Sequence, residues 1–208
     1  MKTATIATIA LAAAAQASPL LGLGKDNNGR KGLLGGLLDL DLSLDLDLDL
    51  ELGLGGGKTD YFTSTYSVLA TPNQVVDANN EKTGGLKGAK GLYKFGINSE
   101  EDVICYKITL FGFEGEYQSP ANTATHIHES AKGLSGPPRI AFPNPKGGAI
   151  RVSKGCLKGP FETGVKPDGT NDSGLGFTLK QIEENPSAFN ADVHSSKAVP
   201  GAVRGQLS

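Results

Sequence analysis

The chain has 208 residues, a formal net charge of −2, three histidines, two cysteines and no tryptophan. Near-neutral charge without a basic patch excludes nucleic-acid binding, and the length leaves room for one ordinary core. The acidity is concentrated between residues 39 and 51, whereas residues 58–208 are close to balanced.

Residues 1–17 read as a secretory signal peptide. Lys2 supplies the basic start, Ile6–Ala15 the short apolar core, and Ala15-Gln16-Ala17 the small-x-small cleavage pattern before Ser18-Pro19. The apolar stretch is too short to span a bilayer, and no later segment reads as transmembrane.

Residues 18–57 form a region of their own, Gly/Leu-rich at first and then a repeat. Leucine occupies every even position from 40 to 52, and six of the seven odd positions from 39 to 51 are acidic. A period of two puts leucines on one face of an extended strand and carboxylates on the other. The segment suits a low-complexity tether kept extended and solvated by like charges. The alternative is an amphipathic ribbon that self-associates through residues 39–52 once its charges are neutralised. Calcium takes carboxylate ligands, but no EF-hand loop spacing is present.

From residue 58 to 208 the texture is that of an all-β domain. Aromatic and β-branched runs recur between Gly, Pro and Asn punctuation: Tyr61–Leu69, Leu92–Ile97, Val103–Phe113, Ala124–Glu129, Arg139–Phe142, Ala149–Val152, Phe189–His194 and Ala202–Leu207. Such spacing predicts a β-sandwich or barrel. One short connector helix interrupts it. Thr178-Leu179-Lys180-Gln181 has capping-box spacing, Leu179 and Ile182 share a face, and Asn185-Pro186 ends the stretch.

Cys105 and Cys156 are the only cysteines. In an oxidising compartment two cysteines pair by default, and a loop of about 50 residues would constrain the unfolded chain by roughly 3–4 kcal/mol. There is no C-x-x-C spacing to suggest a redox or metal-binding pair.

The three histidines are the informative residues. His126 and His128 lie in Thr125-His126-Ile127-His128-Glu129, and His194 follows Asp192-Val193. On a strand, residues two apart project from one face, so His126 and His128 sit side by side with Ile127 turned away. The last two strands read as a hairpin, with Ala191 and Val193 facing a core and Asn190, Asp192 and His194 sharing the other face with Arg204. All three imidazoles are therefore expected on a polar face or rim. Neutral imidazole suits Cu(II) ahead of Zn(II) as a mononuclear ligand set, with Glu129 or Asp192 as an outer partner. The same residues, paired with Asp192, Glu129 or Arg204, also suit a hydrogen-bonded ladder that holds strands in register without an ion. No catalytic constellation competes: there is no Gly-x-Ser-x-Gly elbow and no phosphate-binding glycine loop. Asn171-Asp172-Ser173 is a glycosylation sequon, which makes Asn171 a modification candidate.

Val103-Ile104-Cys105-Tyr106, Ala124–Glu129, Ser135-Gly136-Pro137-Pro138, Gly155-Cys156, Asn185-Pro186, Asp192-Val193-His194 and Gly201-Ala202-Val203-Arg204-Gly205-Gln206-Leu207 together resemble the CHRD (chordin-type) domain family. The form is the one familiar from secreted fungal proteins. The resemblance implies an immunoglobulin-like, Greek-key β-sandwich and the Cys105–Cys156 pairing, but no defined reaction. The chain departs from the common pattern at Asp192-Val193-His194-Ser195, where Asn-Val-His-Thr is usual, and at Phe189, where a tyrosine pair is frequent. A weaker likeness is to Cu,Zn superoxide dismutase, which also carries His-x-His-Glu on a sandwich strand. Its two metals need more imidazole than three histidines supply, so counting excludes the dinuclear site.

The expectation is a secreted, non-enzymatic CHRD-type binding module, residues 58–208, behind its tether. It would meet an extracellular or cell-wall partner. The alternative is a mononuclear copper protein using His126, His128 and His194.

Overall fold

Alternation of apolar residues with a period of two is what builds the two sheets of the computed structural model, which describes residues 62–208. The first sheet contains β1 (Ser64–Ala70), β2 (Lys90–Asn98), β3 (Val103–Phe111), β6 (Lys146–Gly147) and β7 (Ile150–Lys158) in the order β1-β2-β3-β7-β6. The second contains β4 (Thr125–Glu129), β5 (Pro138–Phe142), β8 (Phe189–Ser195) and β9 (Ala198–Gln206) in the order β5-β4-β8-β9. All the pairings are antiparallel. The predicted all-β sandwich is therefore present. The chain passes from one sheet to the other after β3, β5 and β7, which interleaves the strands. The signal-like segment, the Leu/Asp repeat and residues 58–61 lie outside the described residues.

The core fills the space between the sheets. Tyr93, Phe95 and Ile97 of β2 stand opposite Ile108, Tyr106 and Ile104 of β3. They meet Ile127, Ile140, Phe142, Ala191, Val193 and Val203 from the second sheet, all buried. Burying large aliphatic and aromatic side chains in this way stabilises the fold by roughly 1.5–3 kcal/mol each relative to exposure. Gly205 marks a close approach: a Cβ there would lie 2.5 Å from Val68 Cγ1 and 2.8 Å from the Leu69 carbonyl, so β9 can reach β1 only because this residue is glycine. This gives a physical reason for the Arg204-Gly205-Gln206 run.

Cys105 and Cys156 are bonded, as expected, at a sequence separation of 51. They are register partners on neighbouring strands β3 and β7 of the same sheet. The bridge thus lies within one sheet, unlike the inter-sheet bridge of antibody domains. The connector helix α1 spans Leu179–Glu184 with Thr178 as its N-cap, and the Thr178 N–H donates to Gln181 Oε1 at 2.9 Å. Leu179 and Ile182 are buried, and the Leu179 N–H donates to Asp102 in the β2–β3 turn at 2.8 Å, which docks the helix on one end of the sandwich.

Two elements extend beyond the sequence expectation. β7 continues to Lys158 and β9 begins at Ala198, because strand pairing carries both past the ends of their apolar runs. The short β6 has no apolar signature, and it forms only by pairing with β7.

Candidate metal centre

β4 and β8 lie side by side, with His126 opposite Asp192 and His128 opposite Asn190. The His194 N–H donates to the Ala124 carbonyl at 2.8 Å, which carries the same stagger one step further. Ile127, Ala191 and Val193 point into the core. His126, His128, Asp192 and His194 consequently share the opposite face. Their rings close on one another, with centroids 5.3 Å apart for His126–His128 and for His126–His194 and 5.9 Å for His128–His194.

That face is not a solvated rim. His126 is 1% exposed, Asp192 6% and Arg204 7%. Two loops cover it. Between β1 and β2 the chain buries Val75 and Val76 and is held down by Leu86 N–H to Ala202 O and by the bridge between Thr71 and Arg204. After β4, residues 130–137 fold back, and the Ser135 N–H donates to Asn80 Oδ1 at 2.6 Å, tying the two loops together. The polar face expected from alternation is thus polar in composition yet largely covered, with His128 and His194 only partly exposed at 15% and 13%. Alternation reports which residues share a face, but not what covers that face.

Each imidazole uses one nitrogen to hold itself in place. His126 Nε2 meets Thr123 O at 2.7 Å, His128 Nδ1 meets Gly136 O at 2.8 Å, and His194 Nδ1 meets Val199 O at 3.0 Å. A carbonyl only accepts, so each of these nitrogens carries the proton, and in the neutral ring the other nitrogen presents a lone pair. The three lone pairs all face Asp192. His126 Nδ1 is 3.4 Å from Oδ1, while His128 Nε2 and His194 Nε2 are 3.3 and 3.1 Å from Oδ2. Four acceptors confront one another across a buried space.

Burial works against the charge on Asp192, but the imidazoles of His128 and His194, with contacts from His126 and His128, hold its carboxyl well below the usual range. Burial likewise opposes an imidazolium at His194, yet Asp192 outweighs it and lifts the pKa to about 9. At His126 burial prevails over the Asp192 contact, so this ring is held neutral more strongly than a free one. A proton on His194 therefore satisfies one contact. His126 Nδ1, His128 Nε2 and Asp192 Oδ1 remain buried without a hydrogen-bond partner.

The cluster can hold a metal ion, since all four ligand atoms lie within 4.8 Å of one another. Ligands at about 2.0–2.1 Å from a tetrahedral ion are separated by roughly 3.3–3.4 Å. The imidazole-to-carboxylate separations of 3.1–3.4 Å fall near that spacing but involve both Asp192 oxygens. The set taken one atom per residue extends to 4.8 Å, so a bound ion would draw the ligands inward.

The sequence brings its three predicted histidines together, and the structure adds Asp192 to them as a direct member of the ring. Glu129 is elsewhere: its carboxylate pairs with Arg139 Nε at 2.7 Å. Arg204 sits beside Asp192 in the β8–β9 register, and its Nη2 donates to Ser130 Oγ at 2.9 Å and to the Leu134 carbonyl at 2.5 Å. Asn171 is exposed, with its Nδ2 donating to Asp168 Oδ2 at 2.8 Å. The Thr123, Gly136 and Val199 carbonyls, which decide the histidine tautomers, have no sequence signal. The apolar Val75-Val76 pair between polar neighbours is a local signal that could have marked a covering loop.

A CHRD domain profile matches residues 66–207, well over half of the sequence. The chain belongs to the CHRD domain family. All four cluster residues and both cysteines fall inside the matched span. Comparison with curated proteins found no match, and comparison with solved structures found none. Among the described residues no helix is long and apolar enough to cross a membrane.

Proposed function

We propose that this chain is a secreted, non-enzymatic CHRD-domain binding module whose second sheet is locked by one divalent transition-metal ion held by His126, His128, Asp192 and His194. The observation that carries the metal is the set of four inward acceptors with three buried atoms left unpartnered. A single cation satisfies all four at once, whereas a single proton satisfies one pair. The outer carbonyls supply the orienting contacts that metal-bound histidines need. Copper is the proposed ion on affinity grounds, because Cu(II) stands above Zn(II) for nitrogen and oxygen donors. Zinc is the second reading, favoured by a set of four protein ligands, the usual count of a structural zinc site.

Secretion is supported by the signal-like residues 1–17 together with the Cys105–Cys156 bridge. The partner in this reading is an extracellular or cell-wall component at the cell surface or host interface. Residues 18–57 act as the tether, and the Leu/Asp repeat at 39–52 adds self-association. Asn171, exposed in its sequon, is the glycosylation position.

The deciding experiment is elemental analysis of protein isolated from its native medium, followed by copper titration of wild type and His128→Ala. One tightly held ion per chain, lost in the variant, is the expected result. Absence of bound metal, with only weak uptake that ignores the substitution, would overturn the metal reading. Deletion of residues 39–52 tests the repeat: unchanged surface association rules out its role.

A further inference from the structure

A cavity of ≈ 90 Å³ opens beside the cluster. Three of the four proposed metal ligands, His128, Asp192 and His194, form part of its wall, and Arg204, Ser130 and Asn190 form another part. We propose that this cavity is an anion subsite, in which a small monovalent anion of the carboxylate or azide class coordinates the bound metal and meets Arg204 and Ser130. The inference rests on the metal reading above and names what that centre binds from outside.

Three observations support it. The first is size. The cavity has room for a small anion beside the ligand set.

The second is charge. A divalent ion with one carboxylate and the Arg204 guanidinium leaves the pocket positive. Asp77, the remaining carboxylate on the lining, directs Oδ1 into its own turn, where it accepts the N–H groups of Asn79 and Glu81 at 2.8 and 2.9 Å. Even with Asp77 counted, the balance stays positive. Val75, Val76, Ala78 and Pro200 complete the wall with apolar surface, which strengthens attraction for an anion by excluding water.

The third is an available donor. Ser130 Oγ accepts from Asn190 Nδ2 at 2.7 Å and from Arg204 Nη2 at 2.9 Å. A hydroxyl has two lone pairs and one proton. With both lone pairs engaged, its O–H must be donated elsewhere, and no described residue accepts it. Ser130 is 9% exposed and lines the cavity, so an anion there is the acceptor at hand. Arg204, 7% exposed and fixed by its Nη2 contacts, is already held in place before any ligand arrives.

The test uses the full chain loaded with Cu(II), with metal content measured first on wild type, Arg204→Gln and Ser130→Ala, so that azide binding is expressed per bound metal. Sodium azide is then titrated and followed by its ligand-to-copper charge-transfer band. A saturable band reaching one azide per copper is expected in wild type. Arg204→Gln should weaken azide by about tenfold or more, as loss of a charge-assisted contact does, and Ser130→Ala by several-fold. Ser130→Ala removes a single oxygen atom and keeps the test usable should Arg204→Gln misfold. A loaded protein whose spectrum ignores azide, or azide affinity identical in wild type and both variants, overturns the subsite while leaving the metal reading intact. Failure of the wild-type chain to load copper overturns both.

Discussion

Each sheet carries a cross-strand tie on the face turned away from the core, and the two ties need different things to be complete. In the first sheet Cys105 and Cys156 are register partners joined by a covalent bond, with Cys156 exposed. In the second, His126 and Asp192 are register partners flanked by His128 and His194, roofed by two loops and left with unpartnered acceptors. A disulfide owes its strength mainly to the chain entropy it removes from the unfolded state and is indifferent to its neighbours. A buried cluster of acceptors depends on the cation that neutralises it, because desolvated polar atoms without partners are costly. One tie is therefore expected to respond to reductant and, with the proposed metal bound, the other to chelator.

The largest expected effect breaks the covalent tie. Replacing both cysteines, as Cys105→Ser with Cys156→Ser, should cost about 2–5 kcal/mol in a denaturant titration, with copper stoichiometry unchanged. Loss of metal binding in that variant would mean that the two sheets are not independent. The next effect strikes the second tie at its centre. Asp192→Asn keeps the shape and removes the charge, so metal affinity should fall by about 100-fold in a competition titration. An unchanged affinity would place Asp192 outside the ligand set.

A smaller change reaches the cluster without touching it. A Cβ at Gly136 would lie 2.1 Å from the Glu129 carbonyl oxygen, so Gly136→Ala must displace the carbonyl that receives the His128 proton. Metal affinity should drop by about tenfold, the cost of losing an outer partner. The smallest effect is a contrast in pH response. His194, raised from 6.5 to about 9 by Asp192, stabilises the metal-free fold fully below about pH 6.5, and this contribution is lost as pH rises through about 9. Metal needs the same nitrogen deprotonated, so its stabilisation grows in the opposite direction. The difference in Tm between copper-loaded and chelated protein should widen from pH 6 to 9. A constant difference would separate His194 from the metal.

Much of this site was legible beforehand, for a local reason. The period of two around Ile127 and Val193 puts His126 with His128, and Asp192 with His194, on defined faces whatever the rest of the chain does. The length of the runs was less legible: β7 and β9 outgrow their apolar signals because backbone pairing with β3 and β8 needs no apolar side chain. Glu129 shows the limit of adjacency. It follows His128 directly, but it points the other way and is taken by Arg139.

By itself, then, the sequence determined the all-β sandwich, the family, the pairing of two lone cysteines and the facing of three histidines, because each depends on alternation, spacing or count. Tertiary structure alone decided that Asp192 stands among the three rings, that backbone carbonyls fix the outer nitrogen of each ring as the donor, and that two loops cover the cluster. Those outcomes arise from segments far apart in the chain meeting on one face, and no local pattern encodes such a meeting.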